Sequence, residues 1–165
     1  MHERLDFSDS TNPDLMLGNF NVWVKGYLQN ISNTDYPMDY NILELQAASE
    51  TEGVRILEPY LYLYVDQVKK FGLDLQGLAA GEELIPTLIM FDQNSLKERV
   101  TLEVLRIDGP QKSIFCINVE IVRKIGSEEY TMQFKLDAPK ISVAVNCIEE
   151  LVKKWPVRWE GASHL

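Results

Sequence analysis

The residue types that most often do acid–base or nucleophilic chemistry are scarce in this sequence. There are two histidines, His2 and His164, one near each end. Neither lies in a stretch with core-building periodicity, so the interior has no histidine for a general base or for a Ser-His or Cys-His nucleophile system. The two cysteines, Cys116 in SIFCINV and Cys147 in AVNCIEEL, stand in apolar surroundings where a thiol behaves as a small hydrophobe. They lack the CxxC spacing of a zinc site, and they leave a disulfide open without requiring one. Carboxylates remain. Glu44, Glu58, Glu103 and Glu120 lie on or beside strand-like runs, and a glycosidase needs only two acids suitably spaced. Acids on the polar face of a strand are ordinarily solvated surface, however. Asp66 and Asp137 occupy corners where helix capping accounts for both. No HExxH, GxSxG, P-loop, dinucleotide-binding glycine pattern or EF-hand loop occurs. The residues therefore read as those of a protein that is not an enzyme, with no catalytic residue, metal ligand or cofactor.

The elements that would position any such group follow from the spacing of apolar residues. Residues 60–78, YLYLYVDQVKKFGLDLQGL, alternate as a strand as far as Asp66. They then place Val68, Phe71, Leu75 and Leu78 on one helical stripe. Residues 130–155, YTMQFKLDAPKISVAVNCIEELVKKW, repeat the move, with Ala144, Ile148, Leu151 and Trp155 as the stripe and Ser142 as a candidate cap. Lys153 and Lys154 complement the helix C-terminus, and Pro156 stops it. Asp66 is the candidate cap of the first helix.

Ahead of each helix stand further alternating runs. Phe20, Val22 and Val24 oppose Asn21, Trp23 and Lys25, while Leu43, Leu45 and Ala47 oppose Glu44 and Gln46. Pro59 interrupts residues 54–65, which read as one bent strand or two short ones. PTLIMFD is a short strand. ERVTLEVLRID, KSIFCINVEIVRK and EEYTMQFKLD, joined by short links, form an antiparallel meander with Tyr130, Met132, Phe134 and Leu136 pointing inward.

The pattern predicts an α+β fold. It is an antiparallel β-sandwich or strongly curved sheet of about seven or eight strands, with two covering helices near 66–79 and 142–155. At 165 residues the chain fits one domain, 1–165, with 1–18 and 156–165 as irregular ends.

The totals narrow the partners. A net charge of −9 repels nucleic-acid phosphates and steers the chain toward a basic protein partner, or serves solubility alone. No stretch has the roughly 18 apolar residues of a membrane span, and the N-terminus lacks the pattern of a signal peptide, so a cytoplasmic location is expected. Tyr60, Tyr62 and Tyr64 line one face of a strand, either covering neighbouring structure or offering anchors to a partner. The loop DYPMDY is aromatic, acidic and Met-containing at once. Asp35, Tyr36, Met38, Asp39 and Tyr40 are therefore the candidate partner-binding residues.

The order of these elements, with LYLYVDQVKKFGLDLQGL leaving a strand and VTLEVLRI, IFCINVEIV and YTMQFKLD forming a meander before the last helix, resembles the WapI-type family of bacterial immunity proteins. The resemblance spans residues 18–155 and lies in hydrophobic pattern and element order rather than in a motif. It implies a bacterial cytoplasmic protein that neutralises a cognate toxin by direct binding. No functional residue carries over, because such families meet their toxins through variable surfaces. The alternative from the residues themselves is a small ligand-binding or carboxylate-dependent enzyme domain with a cleft between sheet and helix. Neither reading fixes an oligomeric state.

Overall fold

Alternation along the chain becomes a single antiparallel sheet in a computed structural model that describes residues 12–28, 41–51, 53–108 and 115–157. The elements are β1 (Leu15–Leu17), β2 (Phe20–Tyr27), β3 (Ile42–Thr51), β4 (Val54–Tyr64), α1 (Val65–Ala79), β5 (Thr87–Asp92), β6 (Glu98–Asp108), β7 (Phe115–Ile125), β8 (Glu128–Leu136) and α2 (Ala138–Lys154). Spatial order equals chain order, from β1 to β8. The α+β expectation holds in its curved-sheet form rather than as a two-sheet sandwich.

The chain is built as four strands and a helix, twice. The seam between the halves is narrow: β4 and β5 share two residue pairs, Leu61 with Asp92 and Tyr62 with Phe91, whereas β6 and β7 share nine. Both helices cover the inner face. Val65, Val68, Phe71, Leu75 and Leu78 of α1, and Ile141, Ala144, Ile148 and Leu151 of α2, pack against Leu43, Leu45, Leu61, Leu63, Leu88, Leu102 and Val119 in one continuous core. The helices approach closely at Gly72, where a Cβ would stand 2.7 Å from Ile148 Cγ2. Across the core, α2 reaches back to the first half. Tyr27 meets Trp155 edge to face at 5.3 Å and donates its hydroxyl to the Pro156 carbonyl.

Curvature brings distant strands together where the helices do not intervene. Ser49 of β3 donates to Met132 Sδ of β8 at 3.3 Å. The β1–β2 turn lies on β8, close enough that a Cβ on Gly18 would strike Leu136 and Phe134. Glu58 of β4 is buried and accepts from Arg99 Nε of β6 at 3.0 Å and from Arg123 Nε of β7 at 2.8 Å. Three bulges impose the bend. The pairing slips at Lys25 in β2, at Pro59 and Tyr60 in β4, and at Arg99 in β6, each time adding a residue to one strand.

Several expectations require correction. Part of the predicted irregular lead-in is ordered: Leu15 and Leu17 of β1 are wholly buried, because their alternation, though only three residues long, meets α2. Asp66 does not cap α1. The helix starts a residue earlier behind Tyr64, which makes no side-chain cap bond, and Asp66 stands in the first turn, where its charge suits the helix dipole. Ser142 does not cap α2 either. That helix begins at Ala138, with Asp137 accepting from the Lys140 N–H at 3.1 Å and Pro139 in the first turn, where its missing N–H costs nothing. Of the two readings of residues 54–65, the single bent strand is the one found, because the bulge takes up the proline that cannot donate. Tyr130 does stand on the inner face but is 48% exposed, since the β7–β8 hairpin extends past the core.

Candidate functional site

The outer face of the sheet departs from the polar exterior that alternation normally gives an antiparallel sheet with one covered side. Over β7 and β8 it is ordinary, with Asn118, Glu120, Lys124, Thr131, Gln133 and Lys135. Over β2 to β5 it is aromatic. Tyr60, Tyr62 and Tyr64 alternate with inward Leu61 and Leu63 along β4, Trp23 stands on β2, and Phe91 on β5. Tyr60 is 43% exposed; the other four aromatic residues are half-buried. Tyr64 and Phe91 contact edge to face at 5.9 Å, an arrangement that fixes both rings.

Bulges aim the polar members of this face. The extra residue in β2 swings Lys25 across β3, where its ammonium donates to the Pro59 carbonyl at 3.0 Å and lies 5.2 Å from the centre of the Tyr60 ring. Glu44, the cross-strand neighbour of Tyr62, is half-buried beside it. Burial holds the Lys25 ammonium below the usual lysine range, and the Glu44 carboxylate opposes that shift. Burial also raises the Tyr62 phenol, and Glu44 raises it further. The face is acidic beyond the aromatic cluster. Glu103 and Glu120 are directly opposed on β6 and β7, a like-charge pair that an isolated sheet disfavours, and Glu120 accepts from Gln133 at 2.9 Å.

Of the four carboxylates considered for chemistry, Glu44, Glu103 and Glu120 thus share the outer face. Glu58 is on the inner face, fully engaged by two guanidinium groups. Asp66 and Asp137 lie at the starts of different helices. No group of three or more His, Cys, Asp or Glu residues able to hold a metal occurs among the described residues. Asp35, Tyr36, Met38, Asp39 and Tyr40 fall outside the described residues. Their loop leaves the sheet at Leu28 and returns at Asn41, where the Leu28 N–H donates to Ile42 and Ile42 is the cross-strand neighbour of Tyr64.

The alternative site, a cleft between sheet and helices, is occupied by the side chains of the core. A larger concavity of about 530 Å³ lies at the end of α1, bordered by Leu78, Glu82, Leu84, Leu105 and Arg106, and a groove of about 300 Å³ runs along the outside of the helix pair. Leu73, Val145 and Ile148 line it, and a Gln76–Glu149 hydrogen bond of 3.2 Å spans the two helices beside it. Sequence reasoning singled out the tyrosine strand but missed Trp23, Lys25 and Phe91 as its partners. An aromatic residue on the polar side of the β2 alternation was the available signal for Trp23. The bulge that carries Lys25 over has none. Comparison with known families, characterised proteins and solved structures finds no match for this chain. No described helix is long and apolar enough to cross a membrane.

Proposed function

We propose that this chain is a bacterial cytoplasmic binding protein of the immunity type, which neutralises a basic toxin domain by docking it on the outer face of the sheet. One observation carries the reading. Where a plain polar surface would do, β2 to β5 present Trp23, Tyr60, Tyr62, Tyr64 and Phe91, with Glu44 opposite Tyr62 and with Glu103 and Glu120 further across the same face on β6 and β7. Tyrosine and tryptophan are the residues that most often anchor protein interfaces, since they bury much area with few torsions to freeze. The surrounding carboxylates and the net charge of −9 favour a cationic partner and speed its approach. Leu28 and Asn41, the described residues on either side of the segment that contains DYPMDY, stand at the Tyr64 end of this face.

The test is co-expression with candidate basic toxin domains, taken first from any encoded next to this gene, followed by binding measurements on purified proteins. Association should slow steeply with added salt, and Tyr60→Ala and Glu44→Lys should each weaken binding about tenfold or more. Neutralisation with full affinity in both variants would exclude this face.

A further inference from the structure

The two edges of the sheet are defended very differently. At one edge β1 is three residues long and packed under α2, the usual ways of blunting an edge. At the other, β8 runs nine residues, Glu128 to Leu136, with no proline and no break in its pairing to β7. Glu129, Tyr130, Thr131, Gln133 and Lys135 are exposed, and no described backbone group bonds to its free side. The β1–β2 turn rests on the Phe134 and Leu136 side chains, but among the described residues nothing bonds to the outward backbone groups of this strand, and an uninterrupted edge of this length invites another strand.

The β7–β8 hairpin determines which groups are free. Its two-residue turn, Gly126-Ser127 with Gly126 at φ +63°, makes Ile125 and Glu128 a doubly bonded pair. Bonding alternates from there, so Glu128, Tyr130, Met132 and Phe134 direct their amides and carbonyls at β7. Glu129, Thr131, Gln133 and Lys135 direct theirs outward. A second strand must therefore bond to these four residues.

We infer that the second strand is β8 of another copy of this chain, antiparallel about a two-fold axis at Met132. In that register Glu129 and Lys135 are opposite each other twice, Thr131 faces Gln133 twice, and every outward amide has a carbonyl to meet. Tyr130 falls opposite Phe134 on the inner face. Glu129 and Lys135 make no ion pair among the described residues, so both charges are available. Shifting the register by two residues in either direction separates every Glu129–Lys135 pair. The strand is self-complementary in charge, shape and hydrogen bonding, which is what a two-fold interface requires. Pairing joins the two sheets into one of sixteen strands, twice the eight of a single chain. Because each copy carries −9, the contact is favoured at physiological salt, where screening acts beyond roughly 8 Å.

Light scattering coupled to size exclusion, on the full chain loaded at roughly 100 μM, reads the outcome directly. The wild type should elute as a dimer of the 19.0 kDa chain. Thr131→Pro removes an outward amide without touching the β7 ladder, and Lys135→Glu opposes like charges. Each should weaken dimerisation at least tenfold with an unchanged circular dichroism spectrum. The charge swap Glu129→Lys with Lys135→Glu in one chain should restore it. A monomer throughout, a dimer indifferent to these changes, or β8 amides protected from exchange only when a different protein is added would each overturn the inference.

Discussion

Removing the carboxylate of Glu58 isolates what holds the curl of the sheet. Its side chain is 6% exposed and accepts from Arg99 and Arg123, whose side chains keep 23% and 18% of their surface in water. Deleting one partner of a buried ion pair typically costs about 3–5 kcal/mol, because the charges left behind lose both water and counter-charge. Here the orphaned guanidinium groups retain roughly a fifth of their hydration, so the lower end applies: Glu58→Ala should cost about 3 kcal/mol. With a urea m-value of about 2 kcal/mol per molar, the unfolding midpoint should fall by about 1.5 M. Glu58→Gln keeps the shape and one acceptor oxygen and should cost about half as much. Arg123, which donates through both Nε and Nη2, should matter more than Arg99, which reaches Glu58 through Nε alone. Replacing all three groups together (E58L/R99M/R123M) should return stability to within about 1 kcal/mol of the wild type, since no buried charge is then left unpaired. Urea unfolding followed by circular dichroism and by tryptophan fluorescence measures each step. A midpoint shift below about 0.5 M for Glu58→Ala would refute the view that this cluster clasps the two halves.

Other consequences are narrower. Asp137→Ala should cost about 1 kcal/mol in thermal or urea unfolding because it removes a cap, whereas Asp66→Ala should cost under about 0.5 kcal/mol. Gly72→Ala should destabilise by about 1–2 kcal/mol despite the better helix propensity of alanine, since Ile148 Cγ2 leaves no room, and calorimetry would register it as a lower Tm. Tyr62 titrates above its ordinary value when folded, so the folded state holds its proton longer than the unfolded chain. Stability from this group is full below pH about 10 and is lost as pH rises through the higher folded value. Lys25 acts in the opposite sense, its depressed folded value relieving a cost as pH rises. Tyr62→Phe should therefore flatten the alkaline loss seen by urea unfolding between pH 9 and 11, and Lys25→Met should steepen it.

Much of this architecture was legible because period-two and helical patterns are dictated by which side of an element meets the core. Leu61 and Leu63 against Tyr60, Tyr62 and Tyr64 gave the face of β4, and Ala144, Ile148 and Leu151 gave that of α2. Helix starts were less legible. Both Asp66 and Ser142 are good capping residues by type, yet the helices begin one residue before Asp66 and four before Ser142, so neither stands at the cap position. Of the bulges only the one at Pro59 was signalled, as a bend in residues 54–65. Lys25 and Arg99 are unremarkable in a strand, and only the demand of long-range curvature shows why an extra residue belongs there. The outer aromatic face rests on those bulges, so its tyrosines could be read but its lysine could not.

The contact of α2 with β1 bears on how the chain acquires its structure. Tyr27 and the Pro156 carbonyl are 129 residues apart in sequence, and Leu15 and Leu17 are wholly buried in the same core as Ile141 and Leu151. The first half therefore has no cover for its opening strand until the closing helix has been synthesised. Collapse during translation must leave the N-terminal hairpin waiting, and contacts this distant in sequence slow the final step, because a long loop must close before the last apolar surface is removed from water. Until α2 emerges, the apolar face of the first hairpin stays open to misassociation.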